Sequence, residues 1–487
     1  MTSPLDRQAP CPNCGAPMTF KFAGARAQVC QHCKFVVART DLGLAAQGRM
    51  ADLIEIPTPL RVGVTGYWGA DPFCVEGRVQ MDRAGAPGAP WQEILLSFPA
   101  KGTSAWVAYA QGRWYATSEQ ALPPGGVPPL EYLRPGGTVD LGPHGHWVVA
   151  EVGQRRVVSG EGELSSVPAP GAITRYADIS AAGGRFGTID YGDGRAPPEL
   201  YLGQQFDPAA LKLESGLPLE APEAKVTAVD CPNCGGNLPL LSQQSERVVC
   251  QYCGTASDLS AGKLSALGPS PRPPIQPYLP IGSQGLLRGC QVVVVGFLIR
   301  SCVVEGERYD WREYLLFGGE RVGYQWLIEQ DGGWQHVVPI EVGEILDSGG
   351  SVIFRGGQYY FKEAPVTATV DYVLGEFYWK VEIGERVEAT ELEGPGGKVS
   401  REVAPTEVTY SFCSPLPAAE LGQAFGIAAP PGATTGAGGF LGGCANIIGT
   451  IVVVIVICIV IALFIGGVGD GDGGYSGSGS SGSWGGK

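Results

Sequence analysis

Eight of the 14 cysteines in this chain of 487 residues fall into two sets of four that share one spacing. Cys11-x-x-Cys14 and Cys30-x-x-Cys33 stand fifteen residues apart, and Cys231-x-x-Cys234 and Cys250-x-x-Cys253 repeat that arrangement 220 positions later. Knuckles paired in this way bring four thiolates around one tetrahedral Zn²⁺ and leave no coordination position open. The chemistry they predict is structural: two zinc ions, each closing a ribbon. Pro12 and Gly15, like Pro232 and Gly235, suit the tight turn that aims two sulfurs at one metal. A redox dithiol would need a single pair in a βαβ setting, and no such setting is visible.

A second pattern pairs an aromatic ring with a carboxylate. Trp91-Gln-Glu93 recurs as Trp311-Arg-Glu313, and a two-residue spacing along a strand puts both side chains on one face. Inside a barrel that face could line a ligand pocket built on Trp91, Glu93, Trp311 and Glu313; the alternative is a Trp that closes the core beside a Glu bonded to backbone. Glu76-Gly77 and Glu305-Gly306 also recur and read as turns. Asp190-Tyr-Gly-Asp193 offers carboxylates to a cation, but the matching stretch Thr409-Tyr-Ser-Phe412 does not, which favours a turn. The four histidines (His32, His144, His146 and His336) have no recurring partners. Without a nucleophile and base, a phosphate loop or a carboxylate pair common to both halves, the expectation is that the chain is not an enzyme.

These motifs sit in a duplicated unit. Trp106 and Trp114 map onto Trp326 and Trp334 at the same shift of 220. Leu202-Gly-Gln-Gln-Phe206 resembles Leu421-Gly-Gln-Ala-Phe425 at a shift of 219, and Phe73–Gly77 matches Cys302–Gly306 at 229, which implies nine extra residues within 81–90. A repeat this long is a duplicated domain and not a solenoid. With Gly 74 and Pro 39 breaking short β-branched and aromatic runs, the fold class is mainly β. Asp331-Gly332 between aromatic segments marks a hairpin whose counterpart is 106–114. Each unit therefore reads as a zinc ribbon followed by an antiparallel barrel- or sandwich-like domain. The expected order is ribbon 9–40, β-domain 53–206, linker 207–228, ribbon 229–258, Pro-rich linker 259–278, β-domain 279–425 and flexible linker 426–445.

Residues 446–467 carry no charge and match the thickness of a bilayer, which predicts one C-terminal transmembrane helix followed by a Gly/Ser-rich tail at 468–487. No export signal is visible at the start, and zinc thiolates need a reducing compartment. The expected topology is single-pass, with the N-terminal domains in the cytoplasm and the short tail outside.

The ribbon, the Trp-x-Glu-x-Leu-Leu strand, the aromatic hairpin and Gly375-Glu-Phe-Tyr-Trp-Lys-Val-Glu-Ile-Gly384 together resemble bacterial proteins carrying the domain of unknown function numbered 4178. The resemblance covers both β-domains, as tandem copies each preceded by a zinc ribbon. The first keeps only Gly162-Glu-Leu-Ser-Ser-Val-Pro-Ala-Pro-Gly171 where the second has the aromatic version. What the resemblance implies is architecture, with a loose link to membrane stress and no activity.

The expected function is a membrane-tethered binding or scaffold protein whose partners are the bilayer and an unidentified protein. A net charge of -14 and a pI near 4.9 work against binding a phosphate backbone over a wide surface. The alternative is a membrane-held nucleic-acid binder acting through the first ribbon, where Lys21, Arg26, Lys34 and Arg39 occur with no acid between Cys11 and Arg39. The second ribbon, with Glu246 and Asp258, does not share that basic face.

Overall fold

Short β-branched and aromatic runs between glycine breaks give strands, and among the described residues the strands close on themselves twice. The computed structural model describes residues 7–430, apart from 41–42, 55, 57, 85, 111–112, 216–226, 243–244, 261–262, 270–275, 320–321 and 362–363. The apolar run 446–467 and the tail lie outside the described residues. Among the described ones, no helix is long and apolar enough to cross a membrane.

In the first unit, Asp71–Arg83, Ala86–Phe98, Thr103–Ala110, Arg113–Gln120, Glu199–Phe206, Arg185–Gly192, Ile173–Ala181 and His146–Leu164 pair antiparallel in that order, and the last closes on the first. In the second, the same order runs through Cys290–Val304, Glu307–Phe317, Tyr324–Gln330, Gly333–Ile340, Val408–Pro415, Gly397–Val403, Arg386–Gly394 and Val366–Phe377, which closes on Cys290–Val304. Each ring has eight strands, a number that leaves an interior wide enough for packed side chains or for one small ligand. The Asp331-Gly332 turn joins two of these strands with φ of 50° and 76°, the left-handed pair that a two-residue hairpin needs.

Each ribbon continues its barrel's wall. His146–Leu164 pairs with Asp71–Arg83 as far as Gly162, then pairs with the ribbon strand Ala27–Val29; Val366–Phe377 does the same past Gly375, with Arg247–Val249. At this switch two backbones cross closely. A Cβ on Gly162 would sit 2.2 Å from the Glu76 carbonyl oxygen, and one on Gly375 would sit 2.4 Å from that of Val295. Both glycines also hold positive φ, so the switch admits no side chain. A further strand after the last cysteine pair, Gly43–Arg49 or Lys263–Pro269, completes each ribbon's three-stranded sheet.

Two of the sequence matches are corrected by this register. Leu202–Phe206 lies in a barrel strand, whereas Leu421–Phe425 lies in the helix Ala418–Phe425, which follows Pro415 and Pro417 and covers the edge strand Gln284–Leu287. The true counterpart of Glu199–Phe206 is Val408–Pro415. Likewise Gly77 is not a turn: it pairs with Gly162 at the barrel closure and corresponds to Gly296. Glu305-Gly306 does form a turn, with φ of 52° and 88°. The expected nine-residue insertion disappears with that false match, because Val79 pairs with Glu93 as Leu298 pairs with Glu313.

Candidate metal centres and the barrel interiors

The four sulfurs of each set converge. In both ribbons they lie within 4.8 Å of one another. Cys11 to Cys33 is 3.7 Å and Cys14 to Cys30 is 3.8 Å; Cys231 to Cys253 and Cys234 to Cys250 repeat those separations. Four ligands at a Zn–S distance of roughly 2.3 Å on a tetrahedron are separated by about 3.8 Å, so the donor set fits the metal without rearrangement. Each knuckle turn is held by backbone bonds: Gly15 N–H donates to Cys11 O, Lys34 to Cys30 O, Gly235 to Cys231 O and Gly254 to Cys250 O. The turn after the second pair needs positive φ, which Gly254 supplies freely at 71° and Lys34 adopts at 61°. Either group can hold a metal ion, and neither leaves room for a substrate on it. His32 takes no part.

A carboxylate that the sequence reading did not single out ties each metal module to its barrel. Glu163 accepts from Lys21 N–H at 2.8 Å and Phe22 N–H at 2.9 Å. Glu376 accepts from Leu241 N–H at 2.8 Å, Ser242 N–H at 3.2 Å and Ser245 Oγ–H at 2.7 Å. Burial pushes Glu376 up to about 7 despite these donors. The signal that could have found the pair is the dipeptide Gly-Glu at 162–163 and 375–376, followed each time by a fully buried apolar residue, Leu164 or Phe377.

The Trp-x-Glu residues all point inward, but the two interiors differ. In the second barrel, Trp311 is 1% exposed and donates from Nε1 to Glu313 at 2.6 Å. One guanidinium, Arg300, lies 3.7 Å from Glu313 and 3.9 Å from Glu402, all three buried. Trp326 and Trp379 pack beside them with ring centroids 5.8 Å apart, and the interior is filled. These residues pack in the core, and Trp311 and Glu313 do not border the cavity that Trp91 and Glu93 border.

In the first barrel, Trp91 donates to Glu93 at 3.3 Å, and Arg155 reaches Glu93 at 3.4 Å and Asp190 at 2.6 Å. Asp190 occupies the place of Glu402, but the guanidinium comes from a different strand: Arg155 stands where the second barrel has Ala368, and Met81 stands where it has Arg300. The Asp190–Asp193 stretch is thus half turn and half ion pair. Here Trp91 and Trp106 are only half-buried, and they border a cavity of about 880 Å³ that also reaches the junction with the second ribbon and second barrel.

The reason is legible residue by residue. Register places Ala108, Thr117 and Thr174 where the second barrel has Ile328, Val337 and Val387, and Ser166, two residues past the strand end at Leu164, stands in chain order where Trp379 stands two past Phe377. Apolar bulk is replaced by small or hydroxylated side chains, all four of which line the cavity. Trp379 is the plug. The apolar packing that remains inside the first barrel, around Val79, Met81 and Val157, sits at the end where its ribbon docks.

The other expected site residues have structural places. Arg26 is paired with Glu119 and Glu199, and Arg39 donates to Ala25 O while lying over the Phe20 ring. His336 is buried against Gln325 beside Arg288; burial lowers it to about 4, which keeps it neutral.

The shared charge cluster gives one pH prediction. Burial raises Glu313 from 4.5 to about 7 and lifts Glu402 well above the ordinary range, because one guanidinium cannot serve both. Raised carboxyls hold a proton in the native state. Their stabilising share is complete below the unfolded value of 4.5 and is lost as pH climbs through about 7. Glu313→Gln, which keeps an acceptor for Trp311, should therefore lose less stability than the parent between pH 5 and pH 8 in urea titrations. Metal-linked effects are common to both proteins and cancel in the difference. Parallel curves would remove Glu313 from the account.

Residues 280–411 match the family model described as domain of unknown function (DUF4178). No curated protein matches the chain. Among solved structures, intact Ap-TbpB (N and C lobes) aligns at 7% identity, over 78% of this chain and 83% of its own, with a TM-score of 0.11. The isotype 1 transferrin binding protein B from serogroup B Neisseria meningitidis aligns at 8%, over 82% and 88%, with a TM-score of 0.10. Scores that low carry no argument about shape or role. The matched stretch runs from just before the second barrel to the middle of its last strand, so the similarity to that family falls on the packed barrel.

Proposed function

We propose that the chain is a membrane-held binding protein whose first barrel takes a small ligand. The second barrel and two zinc-loaded ribbons form its rigid frame. The observation that carries this reading is the contrast between the interiors: one strand order, with Trp379 packed inside one barrel and, in the other, open space bordered by Trp91 and Glu93 that continues to the junction with the second ribbon and barrel as one cavity of about 880 Å³. That volume lies within the range of small-molecule sites. We read the first barrel as a second copy of the same domain, supported by the common ring order, the Trp-x-Glu strand and the Gly162/Gly375 switch. Zinc is the metal that suits four thiolates 3.7 to 3.8 Å apart. The uncharged run 446–467 would anchor the chain, with the thiolate ribbons on the reducing, cytoplasmic side and the tail outside. The nucleic-acid alternative is weakened by the intramolecular engagement of Arg26 and Arg39. We assign no reaction.

The test is native mass spectrometry of the full chain extracted from membranes by detergent. The expected result is resistance to extraction by salt, two zinc ions, and an additional small molecule that is lost in Ser166→Trp, which restores the plug. A chain released by salt would remove the anchor, and parent and plugged variant of identical bound mass would remove the ligand site.

A further inference from the structure

The cavity's lining is aromatic and acidic at once. Trp91 and Trp106 border it, and Tyr176 already carries the Arg155 guanidinium over its ring at 5.4 Å. Every guanidinium on its border is committed to a carboxylate: Arg83 to Glu151, Arg113 to Glu341, and Arg155 to both Glu93 and Asp190. Asp178, Glu246 and Glu407 also border it and have no ion pair among the described residues. Asp178 is reached by the Thr188 hydroxyl at 2.7 Å. A ligand anion entering this space would meet no uncommitted cation and several carboxylates. A cation would meet aromatic rings and carboxylates together, the combination that binds ammonium groups.

From this we infer that the ligand of the first barrel is an organic cation, with its apolar body against Trp91 and Trp106 and its charge beside Asp178, a bordering carboxylate with no ion pair among the described residues. The inference rests on the cavity reading above and adds its ligand class. Burial keeps Asp178 up to about 7, so the uncharged form relieves repulsion until a cation arrives.

The experiment is calorimetric titration of the full chain in nanodiscs with three water-soluble probes of one size class: benzyltrimethylammonium, N-benzylacetamide and phenylmethanesulfonate. The ammonium should bind about ten-fold or more tightly than the other two, the scale of one buried cation–π or ion contact. Asp178→Asn should weaken it by a similar factor, and both Ser166→Trp and Ala108→Ile, which fill the space as the second barrel does, should abolish it. Equal affinity for all three probes, or tighter sulfonate binding lost on filling, would overturn the cationic class while leaving the cavity reading in place. Ammonium binding that survives both filled variants would overturn the location. Absence of binding by every probe, with no small molecule on the extracted chain, would overturn both.

Discussion

Cys231→Ser should reduce the metal content of the full chain from two ions to one and loosen the second barrel while sparing the first. The first half of that expectation follows from ligand number: a three-sulfur knuckle loses most of a binding free energy that runs to about 10–16 kcal/mol in small zinc modules, and so small a ribbon has little else to fold it. The second half follows from the wall. Arg247–Val249 pairs directly with Gly375–Phe377, and Glu376 has its donors in 241–245 of the same ribbon. If the ribbon melts, a carboxylate that is 2% exposed loses three donors, and Phe377 loses its cover. Hydrogen exchange should therefore rise in 366–381 and its neighbours in 290–304, with 146–164 unchanged. Cys11→Ser should give the mirror result through Glu163. Retention of two metals would sink the ligand assignment, and loss of one with slow exchange throughout 366–381 would sink the mechanical coupling.

What could be read from the chain alone divides along a physical line. Metal ligands are set by spacing within short knuckles, so all eight cysteines could be placed before any fold was known. Trp91, Trp106 and Trp114 found their counterparts because strand register preserves sequence offset between paired hairpins. Tertiary neighbours have no such local signature. The partner of Glu93 is Arg155 and that of Glu313 is Arg300, from strands that do not correspond: ring closure brings Arg155 to its acid, whereas Arg300 sits on the hairpin strand paired with that of Glu313 and needs closure only to reach Glu402. The match of Leu202 to Leu421 failed for the converse reason: five similar letters carry no register, and the prolines before 418 start a helix. The aromatic segment after Gly375 was legible as a difference between the copies. That it is an internal plug, and that its absence opens a cavity, depends on which way Trp379 points.

Trp311→Ala and Trp91→Ala should differ in cost although the two residues hold one position in one motif. Trp311 touches packed neighbours on all sides, and its loss leaves a void beside Arg300 and Glu313 while removing the donor at 2.6 Å from a fully buried carboxylate. Truncating a large buried aromatic costs about 3–5 kcal/mol, and the lost hydrogen-bond donor to buried Glu313 adds to it. Trp91 borders space on one side, so fewer contacts are lost and water can enter where the ring was; roughly half that cost is expected. Urea denaturation of the full chain, followed by exchange in 86–98 and 307–317, separates the barrels. Both variants should leave the metal content at two, because neither Trp touches a knuckle. The functional readings should reverse: Trp91→Ala gives up ligand contact in the open barrel, and Trp311→Ala leaves it unaffected. Equal destabilisation by the two substitutions would mean that the first barrel is packed as tightly as the second. The binding role would then have no place inside it.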